Sequence, residues 1–118
     1  MRVLVCGGRD YRRRQDVDGF LGCALEGCRF GGGRLTVIEG GAPGADRFAR
    51  EWAEANGVDV ETFEADWSRG KRAGPERNAR MLAEGKPDLV IAFPGGRGTA
   101  DMVRRARAAG VEVVEVPR

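Results

Sequence analysis

The chain contains no histidine in its 118 residues. That absence removes the serine and cysteine triads and every imidazole base from the available chemistry. Cysteine is scarce and odd in number, at positions Cys6, Cys23 and Cys28. Without histidine or closely paired cysteines, a zinc ion has no ligand set at the usual spacing, so no metal is expected. An odd count with no export signal reads as reduced thiols, with Cys23 and Cys28 as small apolar residues on a helix. No apolar run approaches the length of a membrane span. The opening MRVLVCGG turns to glycine too early for a signal peptide, so the expectation is a cytoplasmic chain with no membrane partner. Net charge is only +2, although 32% of residues are charged. This balance suits a soluble globular domain and disfavours a dedicated nucleic-acid module. Two nucleotide signatures are also missing. No Gly-Lys-Ser/Thr follows a glycine loop, and no GxGxxG occurs, which disfavours a conventional NTPase and a standard dinucleotide dehydrogenase.

What the chain does have is alternation. Apolar runs at Val3–Cys6, Leu35–Ile38, Val58–Phe63, Asp88–Phe93 and Val111–Val116 read as five strands. Between them, apolar residues recur at three- and four-residue steps. Val17, Phe20, Leu21, Ala24, Leu25 and Cys28 mark one helix, and Ala45, Phe48, Ala49, Trp52 and Ala53 a second. A short helix is expected from Pro75 to Glu84, and another carries Thr99, Met102, Val103 and Ala106. Gly57, Gly85 and Gly110 follow helical segments where a left-handed residue is wanted. Pro75 fits a first helical turn. Strand–helix alternation predicts an α/β fold, a single Rossmann-like domain over residues 1–118, with helices on both faces of a parallel sheet. The first, second and fourth runs are continuously apolar and read as central. The third and fifth alternate with acidic residues and read as edges. A strand order of 3-2-1-4-5 satisfies this with right-handed crossovers.

Three of the strands end in glycine: CGGRDY (Cys6–Tyr11), EGGAPGADR (Glu39–Arg47) and FPGGRGTAD (Phe93–Asp101). In the expected order these loops adjoin at the carboxyl end of the sheet. Each leads into a helix whose first turn offers unpaired N–H groups and partial positive charge, the features that hold a phosphate. Thr99 could donate a hydroxyl there or cap the helix. Asp46 and Asp101 also read as helix-start acids, which would compensate the dipole, and Asp46 would equally suit a ligand hydroxyl such as that of ribose. The segment Glu64–Asn78 is long for a connection. It holds Asp66, Trp67, Arg69, Lys71, Arg72 and Arg77, a mixture that suits a base and a phosphate or a solvated basic surface.

Taken in order, CGGRDY, GGAPGADRFA, the pair Asp66–Trp67, AGPERNARML and PGGRGTADM resemble the YspA-like family of the SLOG superfamily. Those are Rossmann-like domains related to LOG phosphoribohydrolases and to the DNA-processing protein DprA. The resemblance covers nearly the whole chain and implies a site for a nucleotide or nucleotide-derived ligand. The family's shared residues fall on Gly8, Arg9, Gly41, Gly44, Asp46, Arg77, Asn78, Gly95, Gly96, Gly98 and Thr99. In LOG enzymes a PGGxGTxxE motif supplies a glutamate that, with a separate arginine, cleaves an N-glycosidic bond of a nucleoside monophosphate. Here Met102 stands at the glutamate position. A hydrolase would therefore have to draw its carboxylate from Asp101 or Asp46, with Arg77 as the cation.

The expected site comprises Gly7, Gly8, Arg9, Gly40, Gly41, Gly44, Asp46, Trp67, Arg77, Asn78, Gly95, Gly96, Arg97, Gly98 and Thr99. The loop amides take a phosphate, Arg9 and Arg77 add charge, Asn78 bonds a base or sugar, and Trp67 stacks on a base. No cofactor is expected, and self-association is expected only by analogy with domains of this class. The rival readings are the phosphoribohydrolase and DprA-like contact of Arg69, Lys71, Arg72 and Arg77 with nucleic-acid phosphates.

Overall fold

A computed structural model describes all residues, 1–118. Five strands, β1 (Arg2–Cys6), β2 (Thr36–Glu39), β3 (Asp59–Thr62), β4 (Leu89–Ala92) and β5 (Glu112–Glu115), form one sheet of order β3-β2-β1-β4-β5. Every neighbouring pair is parallel. The α/β architecture and strand order are those anticipated from the alternation of apolar runs. Helices α1 (Arg14–Phe30), α2 (Ala45–Ala55), α3 (Ala73–Gly85) and α4 (Arg97–Ala108) connect the strands.

Successive residues of a strand face opposite sides of the sheet, and that period splits the core in two. Val3 and Val5 of β1 point to one face, with Val17 and Leu21 of α1 and Ala49, Trp52 and Ala53 of α2. Leu4 and Cys6 point to the other, with Met81 of α3 and Met102, Val103 and Ala106 of α4. The central strands β1, β2 and β4 are almost wholly buried. The edges β3 and β5 expose Asp59, Glu112 and Glu115, while Glu61 is half-buried and pairs with Arg2. Each fully buried Val, Leu, Ile, Met or Phe contributes about 1.5–3 kcal/mol, so both layers are needed to hold the sheet.

Three local expectations are corrected. The segment after β3 is not an open loop: Trp67–Arg72 forms 3-10 structure broken by a kink at Gly70, which sits at φ +72, and α3 starts at Ala73, two residues before the proline. Pro75 still falls in the first turn, where a missing N–H costs nothing. Gly57 and Gly110 take the left-handed conformation, but Gly85 does not; Lys86 adopts it instead. Gly85 remains helical and lies against β2, where an added Cβ would come within 3.3 Å of Ile38. Asp101 is the fifth residue of α4 rather than a first-turn acid. No helix is long and apolar enough to cross a membrane.

Candidate functional site

The three glycine turns meet at the carboxyl end of the sheet, and the turn after β1 is the hub. The Gly8 amide donates to the Pro94 carbonyl at 2.9 Å, and its own carbonyl accepts from Tyr11 and Ala45. The close packing dictates glycine. An added Cβ at Gly7 would lie 2.6 Å from that of Ala45, and one at Gly8 would lie 3.0 Å from the Pro94 oxygen. Gly44 sits at φ +80 with its Cα against the Gly8 and Arg9 carbonyls, so a side chain there would overlap backbone. Gly95 would likewise collide with Thr99 and the Gly8 amide.

Gly96 and Gly98 are different. An added Cβ at either would meet nothing within 4 Å, and neither has a positive φ. No neighbouring atom demands glycine at these two positions. They open α4, where the amides of Arg97, Gly98 and Thr99 lack intrahelical acceptors. No loop carbonyl or side chain accepts from them. Thr99 makes no capping bond; Gly96 occupies the cap position.

Above these amides lies a cleft of about 890 Å³. It brings together Gly7, Gly8, Arg9, Asp46, Trp67, Arg77, Asn78, Gly95, Gly96, Arg97, Gly98 and Thr99, all expected from the sequence. Gly40, Gly41, Gly44 and Asp101 do not line it. From the second turn only Ala42 and Asp46 reach the opening, because the glycines there pack inward.

The polar residues of the site divide by whether they are already engaged. Arg77 reaches from α3 to the β2 turn, where it donates to the Gly40 carbonyl, and its Nε donates to Asn78 Oδ1 at 3.0 Å. Asn78 is buried and spends both amide hydrogens inside the protein, on Gly98 O and Asp101 Oδ2. It orients the start of α4 and has no N–H left for a base or sugar. Asp101 accepts from Asn78, Arg104 and Arg105. Partial burial raises its pKa, but the bonds from Asn78 and Arg105 and the charge of both arginines outweigh this, leaving it below the ordinary value.

Asp46 is in the opposite condition. Its side chain is buried at the wall of the cleft, and the amides of Gly40 and Ala42 both donate to the one oxygen, Oδ2. Burial, then the nearby Glu39 carboxylate, pushes its pKa up to about 7 against the opposing amides and Arg77. Trp67 is 56% exposed, with the Arg9 guanidinium 5.6 Å from its ring centre and Gly74 beneath its edge.

Sequence reasoning passed over two features. Glu39 ends an apolar strand and is fully buried; it accepts from the Gly41 amide at 2.7 Å and from Thr62, and so fixes the second turn. An acid placed directly before Gly-Gly was the available signal. Arg12, Arg13 and Arg118 also line the cleft. The first two belong to an arginine run just beyond the first glycine turn, and that position was the clue.

The sheet order and the glycine turns at its carboxyl end define a Rossmann-like domain with a cleft at the strand-order switch. Comparison with known proteins agrees. The model of the YspA, cpYpsA-related SLOG family matches residues 1–70. The Gene 61 protein of Mycobacterium phage D29 is 40% identical over 121 residues, spanning 96% of this chain and 94% of that protein. The chain belongs to the YspA, cpYpsA-related SLOG family. Two crystal structures share the fold. DNA processing protein A (DprA) from Streptococcus pneumoniae superposes with a TM-score of 0.76 at 21% identity, over 99% of this chain. The chain spans only 50% of that DprA chain. The structure of TM1055 gives a TM-score of 0.70 at 20% identity, over 95% of this chain and 71% of TM1055.

Proposed function

We propose that the cleft binds a nucleotide or nucleotide-derived ligand. A phosphate sits on the amides of Arg97, Gly98 and Thr99, with Arg9 and Arg77 nearby in the same cleft. Asp46 offers its second oxygen to a ligand hydroxyl, and Trp67 offers a ring face to a base. One observation carries the reading: Gly96 and Gly98 stand at a helix start beside free amides, and no neighbouring atom excludes a side chain at either. Glycine costs backbone entropy, so an approaching ligand supplies the missing reason. Titration calorimetry against a panel of nucleotides tests this. Saturable binding is expected, weakened by inorganic phosphate; a folded protein that binds no member of the panel would end the proposal.

Asp46 favours a second reading, a phosphoribohydrolase. A carboxyl whose pKa is about 7 is suited to proton transfer, and it borders the same cleft. Such an enzyme needs a carboxylate near the anomeric carbon to stabilise oxocarbenium-like charge. Asp101 is less suited, since its carboxylate is held by three donors. Incubation with nucleoside monophosphates should release free base, and the release should vanish in Asp46→Asn. Base release that persists in Asp46→Asn, or none at all from the native protein, would remove this reading and leave binding alone.

A further inference from the structure

The arginines of this chain are not evenly neutralised. Of eighteen arginines, eleven lie within 4 Å of a carboxylate. Seven do not, and five of those seven, Arg9, Arg12, Arg77, Arg97 and Arg118, line the cleft. Arg13 lines it too, but is paired with Asp16. The five unpaired arginines face two acidic side chains there, Asp10 and Asp46, an excess of three positive charges against +2 for the whole chain.

That concentration exceeds what one phosphate requires. Three free amides at the start of α4 already match the oxygens of a single phosphate group. Holding several guanidinium groups together without counter-charge is unfavourable, and a ligand of matching charge relieves the repulsion. Arg12 is exposed and makes no ion pair. Arg118 borders both the cleft and a 240 Å³ depression on the other side of the Pro94–Gly96 turn.

We infer that the ligand carries at least two linked phosphate groups, a pyrophosphate-bearing nucleotide, with Arg12 and Arg118 receiving the charge beyond the phosphate on α4. This rests on the nucleotide-binding reading above and narrows it. Guanidinium–phosphate contacts are charge-assisted and stronger than neutral hydrogen bonds.

Calorimetry with adenosine, AMP, ADP and ADP-ribose, repeated with the guanine counterparts, tests the inference at fixed ionic strength. The diphosphates should bind at least tenfold tighter than the monophosphates, and the unphosphorylated nucleosides weakest. ADP against ADP-ribose tells whether the second phosphate is terminal or esterified. In the double variant Arg12→Ala, Arg118→Ala the diphosphate-to-monophosphate ratio should collapse toward one. A native ratio of one, or a ratio the double variant preserves, overturns the inference while leaving nucleotide binding intact. Failure of every nucleotide to bind overturns both.

Discussion

The Asn78 side chain of α3 donates to the Asp101 carboxylate of α4 at 3.0 Å. The same amide also holds the Gly98 carbonyl, and its oxygen accepts from Arg77. One buried residue thus ties α3, α4 and the arginine that reaches the β2 turn. Its removal leaves several buried partners without a bond, each costing about 1–3 kcal/mol. Asn78→Ala should lower the unfolding free energy by roughly 2–4 kcal/mol in urea titration. A change below about 0.5 kcal/mol, the range of an ordinary surface substitution, would mean the bridge contributes nothing.

The glycines of the cleft fall into two groups that a single substitution separates. Gly44→Ala forces a side chain into a left-handed residue and against the Gly8 carbonyl. It should cost more than about 3 kcal/mol, combining backbone strain with overpacking. Gly96→Ala meets open space. It should cost far less stability than Gly44→Ala, while nucleotide affinity falls at least about tenfold, roughly 1.4 kcal/mol. Thermal unfolding and calorimetry on the two variants give the comparison. A Gly96→Ala protein that binds as tightly as the native one would show that no ligand approaches that backbone.

The sheet order, the placement of its edges and the meeting of the glycine turns were legible because they follow from strand-end composition and the two-residue period of the strands. What was not legible concerns orientation. Gly40, Gly41 and Gly44 look equivalent to Gly95, Gly96 and Gly98 in sequence, yet only the last two open onto the ligand space without a packing role. Asn78 and Asp101 read as ligand-facing polar residues, but they satisfy each other across helices distant in sequence. Glu39 hid in an apolar strand because its partners, the Gly41 amide and the Thr62 hydroxyl, become visible only once β2 and β3 are paired. The 3-10 turn at Trp67–Arg72 escaped notice because glycine and basic residues give no helical apolar period there.

Trp67 offers a direct optical readout. The chain has two tryptophans, and Trp52 is buried between α2 and the sheet. Trp67 is exposed at the cleft, with Arg9 already over its ring. A base that stacks on it should quench its emission, and Trp67→Phe should abolish the change. Base stacking is worth about 1–3 kcal/mol, so Trp67→Ala should weaken nucleotide binding by about 5- to 150-fold. Binding of inorganic phosphate should be unaffected in the same variant. Equal losses for phosphate and nucleotide would assign Trp67 to the structure of the loop instead of to a base.

Asp46 makes an opposite-signed contribution to the pH dependence of folding from that of a salt-bridged carboxylate. Its native pKa is pushed up to about 7, chiefly by burial and then by Glu39, while in the unfolded chain it returns to 3.8. Between those values the native state binds the proton and the unfolded state does not, so this residue's contribution to stability falls as pH rises across that window and is flat above it. At one pKa unit per 1.36 kcal/mol the full span is about 4 kcal/mol, an order-of-magnitude figure. Asp46→Asn keeps an oxygen for the Gly40 and Ala42 amides and stays neutral at every pH. The variant and the native protein should therefore be nearly equal in stability at pH 4, and the variant should gain progressively to a plateau near pH 8. Subtracting the two curves cancels Asp101 and Glu51, whose shifts run the other way. Urea unfolding at half-unit pH steps measures the difference; a gap that stays constant from pH 4 to pH 8 would show that Asp46 is ionised throughout, and the buried-carboxyl account of the cleft wall would have to be given up.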